Sequence, residues 1–122
     1  MLRSIEPIYD KQGHVTAWLN DDHVRSLSGA VTAWIRDDAV YTLGGVHIGW
    51  FVRGHFWDRD GRAVGWLAER EGGLSKPGRA GRPGRPRLAG KPGRPGFSGR
   101  MGRPRLSPSW SHRAWDTYLL GH

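Results

Sequence analysis

Apolar and polar positions alternate in short runs along residues 8–71, and the whole pattern recurs every 16 residues. The four units read IYDKQGHVTAWLNDDH (8–23), VRSLSGAVTAWIRDDA (24–39), VYTLGGVHIGWFVRGH (40–55) and FWDRDGRAVGWLAERE (56–71), aligned without a gap. Trp stands at 18, 34, 50 and 66, and Gly at 13, 29, 45 and 61. Each unit opens on an apolar residue: Ile8, Val24, Val40 or Phe56. A small or polar residue then precedes Gly at Gln12-Gly13, Ser28-Gly29, Gly44-Gly45 and Asp60-Gly61. That pair predicts a two-residue hairpin turn needing positive φ. A second β-rich run follows, as in HVTAWLN and AVTAWIR. Asp21-Asp22, Asp37-Asp38 and Arg53-Gly54 predict short turns between units. Recurrent Gly and β-branched residues without a 3.6-residue period exclude helix here.

Eight short antiparallel strands in equal units predict a closed ring, because a linear meander would leave aggregation-prone edges. The expected fold is all-β, with four β-hairpin repeats around a pseudo-fourfold axis and an extended polyproline II-like tail behind them. The residue before each Trp is small (Ala17, Ala33, Gly49, Gly65), as close approach of strands around an axis requires. The four Trp are expected to supply most of the core. A core of that size is marginal alone, so the tail or a second copy is expected to complete it.

The pattern apolar-Tyr-Asp-x-x-Gly-x-x-x-Ala-Trp-apolar, repeated four times, resembles the bacterial four-fold β-flower family. GVHIGWF in the third unit, WDRDGRAVGW in the fourth, and a basic, Pro-rich tail ending in SWSHRAWDTYLL share in that resemblance. It covers nearly the whole chain. Arg25 departs from it, standing where the other units have Tyr9, Tyr41 and Trp57. The resemblance implies the β-flower fold and brings no activity with it.

The tail changes both periodicity and charge. From Gly78 to Pro104 the text runs in triplets, with Gly at 78, 81, 84, 90, 93, 96, 99 and 102, and only Arg87 breaks the phase. Pro near its fixed φ and a three-residue period both suit polyproline II, which would align the cations in one stripe. Residues 1–75 carry a net charge of −2 and residues 76–122 carry +10. Such asymmetry points to a polyanion-binding arm, and the Arg-, Gly- and Pro-rich usage of a high-GC coding sequence competes with it. Three readings of the tail stand: a collagen-like trimer, a nucleic-acid-binding arm, and a structural tail packed on a ring or left disordered. The Gly-Arg-Pro cores are similar to the minor-groove AT-hook, yet lack the Arg that precedes its Gly. The candidate polyanion ligands are Arg79, Arg82, Arg85, Arg87, Lys91, Arg94, Arg100, Arg103 and Arg105. The expected division is 1–71 for the ring, 72–109 for the arm, and 110–122 for an aromatic anchor. In that anchor Ser111 is expected to cap a helical turn over 112–120, with Arg113 and Asp116 outward.

Reactive chemistry is scarce. With no cysteine, a thiolate metal site, a disulfide and a cysteine nucleophile are all excluded. His14, His23, His47 and His55 have no closely spaced His/Glu set beside them. Of these, His47 and His55, near Trp50, Phe56 and Trp57, are the pair to watch. The paired acids lie in expected turns, where side chains splay apart and acid–base cooperation fails. No nucleophile elbow, phosphate loop or zinc-protease motif occurs. Tyr9, Tyr41 and Trp57 would form a ligand-stacking ring if they face outward. No apolar run approaches the ~18 residues of a membrane span and no apolar leader is evident, so a cytoplasmic chain is expected. The overall expectation is a non-catalytic structural or interaction module without a cofactor or small-molecule ligand, open to self-association. The alternative is nucleic-acid or other polyanion binding through the arm.

Overall fold

The computed structural model describes residues 5–67, 93, 95–97, 99, 102, 104–107 and 109–121. Eight strands run in chain order: β1 (Ile5–Tyr9), β2 (Val15–Asn20), β3 (His23–Arg25), β4 (Val31–Arg36), β5 (Ala39–Thr42), β6 (His47–Val52), β7 (His55–Asp58) and β8 (Ala63–Leu67). Each pairs antiparallel with the next, and β8 returns to β1 through Ile8↔Leu67 and Tyr9↔Trp66, closing the barrel. Closure removes the free edges that a four-hairpin meander would expose.

The register is the same in every unit. The opening apolar residue faces the small residue before Trp, as Ile8↔Ala17, Val24↔Ala33, Val40↔Gly49 and Phe56↔Gly65. A bulge follows at once, between Ile8/Tyr9, Val24/Arg25, Val40/Tyr41 and Phe56/Trp57. Bulges increase local twist and help a small sheet to curl.

The connectors between units are the short turns expected, while the turns within the hairpins differ from expectation. Within a hairpin the loop is longer than two residues: Gly13 N–H donates to Asp10 O at 3.0 Å, and Asp10 N–H to His14 O at 2.9 Å. The glycine takes φ 83°, 97°, 95° and 81° at 13, 29, 45 and 61. A residue three places into the unit ties the loop: Asp10 Oδ1 accepts from the N–H of Gln12 and His14, and Asp58 Oδ1 from Asp60 and Arg62. Thr42 Oγ1 accepts from Val46 N–H in the same way. The two-residue turns are the connectors between units, flanked by Asn20↔His23, Arg36↔Ala39 and Val52↔His55. Their first residues, Asp21, Asp37 and Arg53, sit at φ 60°, 57° and 56°. Asp tolerates that region because its short side chain can bond locally.

The core around the axis also differs from expectation. It holds the unit-opening residues Ile8, Val24, Val40 and Phe56, with Ala17, Ala33, Leu19 and Leu67. The repeat Trp are not in it. Side chains alternate across a strand, so an inward Ala17 sends Trp18 to the outer face of the wall. There Trp34 and Trp50 cluster with Tyr41 and Trp57, and Trp66 with Tyr9. All four repeat Trp are nonetheless buried. The Trp form a second, outer layer, and something must cover it. No helix among the described residues is long and apolar enough to cross a membrane.

Candidate functional site

The C-terminal segment begins as a strand companion. Ala63 N–H donates to Ser109 O at 3.0 Å and Ser111 N–H to Ala63 O at 2.7 Å, with Trp110 in a parallel bridge to Ala63. Ser111 then turns inward. It does not cap a helix: α1 (Trp115–Leu119) starts at Ala114 with no side-chain cap. Instead Ser111 Oγ donates to Asp58 Oδ2 at 2.5 Å and accepts from Arg113 N–H at 3.0 Å. Arg113 is not outward either. Its guanidinium donates to Asp58 Oδ2 at 2.7 Å and to Asp60 Oδ2 at 2.9 Å. Asp116 is exposed.

Asp58 is fully buried. Burial pushes its carboxyl up, but hydrogen bonds from Ser111, Arg62 N–H, Arg113 and Asp60 N–H outweigh that and hold it below 3.8. The hydrogen bond to Asp60, offset by burial and aided by Asp58, raises Arg113. Both oxygens of Asp58 are engaged: one ties the turn, the other fastens the anchor. Lys11 Nζ adds a bond to Ser111 O at 3.2 Å from the first hairpin.

Past this latch, α1 plugs one end of the barrel. Trp115 meets Phe56 edge-on at 5.2 Å between centroids, and Tyr118 Oη donates to Trp57 O at 3.0 Å. Burial, then the Asp58 charge, pushes the Tyr118 phenol well above 10.0. The plug, together with the Trp57 carbonyl that it binds, explains why the small residue is Gly in units three and four. A Cβ on Gly49 would run into Trp57 O and stand 2.6 Å from Tyr118 Oη, and one on Gly65 would stand 3.0 Å from Trp115.

Beside the plug, Val31 and Thr32 of β4 and the turn tip of hairpin three leave an apolar groove of about 560 Å³, closed on the other side by Leu119 and Leu120. Leu43, Val46 and Leu120 line it and are exposed by 47%, 56% and 70%. The corresponding tips of hairpins one and four carry Lys11, His14, Arg59 and Arg62.

The model of the family described as 4-fold beta flower protein matches residues 6–119, from the first strand through the plug. The chain belongs to that family. No curated protein and no solved structure matches it.

In this β-flower the described residues of the C-terminal segment pack on the outer wall. Tyr9, Tyr41 and Trp57 lie on the wall with the repeat Trp, but they are buried rather than a free stacking ring. Phe97 packs on Tyr41 at 4.5 Å between centroids, and Arg36 lies 5.5 Å from the Phe97 ring on its other contact. Leu106 and Trp110 pack on the same wall. Of the candidate polyanion ligands, Arg79, Arg82, Arg85, Arg87, Lys91, Arg94, Arg100 and Arg103 lie outside the described residues, as does the expected boundary at 71/72. Arg105 is described and exposed.

His23, His47 and His55 are buried in the wall. His23 and His55 occupy the same place in their units, opposite Trp34 and Trp66. His23 Nδ1 lies 2.9 Å from Asp22 Oδ1, and His47 Nε2 lies 2.7 Å from Gly49 O. No group of three or more metal-binding side chains forms among the described residues. Ser111 and Arg113 are the site residues that sequence reasoning misplaced. Their signal was the buried-turn acid Asp58, identical in type to Asp10 and so indistinguishable from an ordinary turn residue.

Proposed function

We propose that this β-flower is a non-catalytic interaction module. The observation that carries the reading is the state of Asp58: the buried carboxylate has both oxygens committed to turn and anchor, leaving no lone pair aimed at a substrate. The apolar groove between hairpins two and three suits an apolar contact, and its one carboxylate, Asp116, has no base beside it in the lining. The test is turnover by the full chain of chromogenic carboxylic esters, phosphate monoesters and glycosides. Rates equal to buffer are expected; turnover abolished by Asp58→Asn would overturn the reading.

A second reading, polyanion binding by the arm, is supported by the segregation of charge, −2 before residue 76 and +10 after it. Duplex and single-stranded DNA titrated at several salt concentrations test it, because phosphate contacts give a log–log slope that grows with their number. A slope of several units for the full chain supports this reading. Absence of binding at low salt removes it.

A further inference from the structure

Asp10 and Asp58 stand three 16-residue units apart and hold the same place in hairpins one and four. In both turns Oδ1 accepts from two backbone N–H groups, those of Gln12 and His14 at hairpin one and those of Asp60 and Arg62 at hairpin four. The second oxygens differ. Asp58 Oδ2 receives the Ser111 hydroxyl and the Arg113 guanidinium. Asp10 Oδ2 accepts no hydrogen bond among the described residues. Hairpin four thus shows what the second oxygen of such a turn acid binds: a hydroxyl and a cation with N–H donors.

Asp10 lines a cavity of about 150 Å³ between hairpin one and the anchor. Lys11, Gln12 and Arg113 line it too, and Val64 and Trp115 supply its apolar side. Val64 and Trp115 are buried, Asp10 and Arg113 are half-buried, and Lys11 and Gln12 are exposed. Asp10 and Lys11 are chain neighbours of opposite charge, yet no ion pair joins them among the described residues. Lys11 Nζ donates to Ser111 O at 3.2 Å, and an ammonium has three N–H donors. Arg113 already faces Asp58 at 2.7 Å and Asp60 at 2.9 Å, so its charge is balanced within the latch. The cavity therefore offers a ligand one carboxylate and one ammonium, set against an apolar wall.

We propose that this cavity binds a small zwitterion of the α-amino-acid class. The ligand's ammonium sits at Asp10 Oδ2, as the Arg113 guanidinium sits at Asp58 Oδ2. Its carboxylate meets Lys11 Nζ, and its side chain lies against Val64 and Trp115. Charge balance sets the class. A simple acid would pair with Lys11 and leave Asp10 beside it without a counter-charge, and a simple amine would do the reverse. A zwitterion satisfies both at once, and a charge taken out of water is tolerated only when it is paired. Volume sets the size. Pockets for drug-sized ligands run to about 300–1,000 Å³, whereas a cavity of about 150 Å³ holds a molecule such as benzene. That admits an amino acid with a short side chain and excludes a dipeptide. The proposal departs from the expectation of a module without a small-molecule ligand. It asks for no turnover, so it goes beyond the module reading and stands apart from its test.

A ¹H–¹⁵N titration of the full chain tests it, with glycine, L-alanine and L-valine as probes beside ethylamine and propionate, which carry one charge each. The amino acids should give saturable shifts at the Lys11 and Gln12 amides and the Trp115 indole. Their dissociation constants should lie about tenfold or more below those of either single-charge probe, the value of one charge-assisted hydrogen bond. Asp10→Asn keeps an amide oxygen for the N–H groups of Gln12 and His14, so the ligand-free chain should unfold as the parent does. Its amino-acid affinity should fall about tenfold, and Lys11→Met should cause a similar loss. The bound ligand joins hairpin one to the anchor, so saturating L-alanine should also raise the thermal midpoint of the parent and leave that of Asp10→Asn in place. No saturable shift with any of the three amino acids at tens of millimolar overturns the proposal. So does propionate or ethylamine binding as tightly as they do, and so do shifts confined to another face. Unchanged affinity in both Asp10→Asn and Lys11→Met overturns it as well.

Discussion

Hairpins one and two and hairpins three and four share one sequence pattern but end differently. The first two carry Ala17 and Ala33 before Trp; the last two carry Gly49 and Gly65, because the Trp57 carbonyl with Tyr118 at one, and the Trp115 ring at the other, occupy the space a Cβ would take. Hairpins one and four share a turn-tying Asp, Asp10 and Asp58, yet only Asp58 also receives the anchor. A repeat can thus hold its fold in every copy while individual copies are altered to receive a segment that arrives once. The departures from the repeat mark the docking surface.

The comparison breaks most visibly if the plug is removed. Trp115→Ala should cost about 3–5 kcal/mol, the range for truncating a buried large aromatic, read by urea unfolding followed by Trp fluorescence. A loss under about 1 kcal/mol, within the spread of ordinary substitutions, would mean that the barrel stands without its anchor. Exchanging the small residues sharpens the contrast. Gly49→Ala should destabilise by about 2–3 kcal/mol through overpacking against Trp57 O and Tyr118. Ala33→Gly in the unplugged half should cost only about 0.5–1 kcal/mol, from backbone entropy. Equal losses would show that the plug is irrelevant to the choice.

The two turn acids come next. Asp58→Asn leaves Ser111 and Arg113 facing an uncharged group and should cost about 2 kcal/mol, whereas Asp10→Asn should stay within about 0.5 kcal/mol. Thermal unfolding of the two variants decides between them. The same carboxylate sets an acid limb. Because the folded state holds Asp58 below 3.8, its stabilisation is complete above that value and is lost as pH falls through the lower folded value. Asp58→Asn should flatten this limb in a pH series of urea midpoints. At the alkaline end Tyr118 acts with the opposite sign. Its raised folded value keeps the phenol protonated, so its contribution is complete below 10.0 and declines above it. Smallest of all, Leu43→Lys at the exposed groove should change stability by no more than about 0.5 kcal/mol. A larger loss would show that the groove is already filled by the chain itself.

Much of the ring was legible beforehand, because in-phase Trp and Gly at 16-residue spacing admit few folds other than equal hairpins closed on themselves. The turn types were not, since Gln12-Gly13 reads as a two-residue turn until Asp10 is seen bonding across it. The anchor was legible as an apolar ending, but Ser111 was assigned to a helix cap because local pattern offers that partner first. Asp58, 53 residues away in sequence, is the partner it takes.

What the sequence determined by itself is periodic: the number of hairpins, their equal length, and the alternation that sends neighbouring residues to opposite faces. Those follow from local backbone preferences and side-chain alternation, which act within a few residues. Only the tertiary structure decided that the Trp form an outer layer, that Gly49 and Gly65 yield to Tyr118 and Trp115, and that a buried Asp holds the anchor. Each of these depends on a segment of the chain that closure brings back against its beginning, and contacts of that range leave no periodic trace at either end.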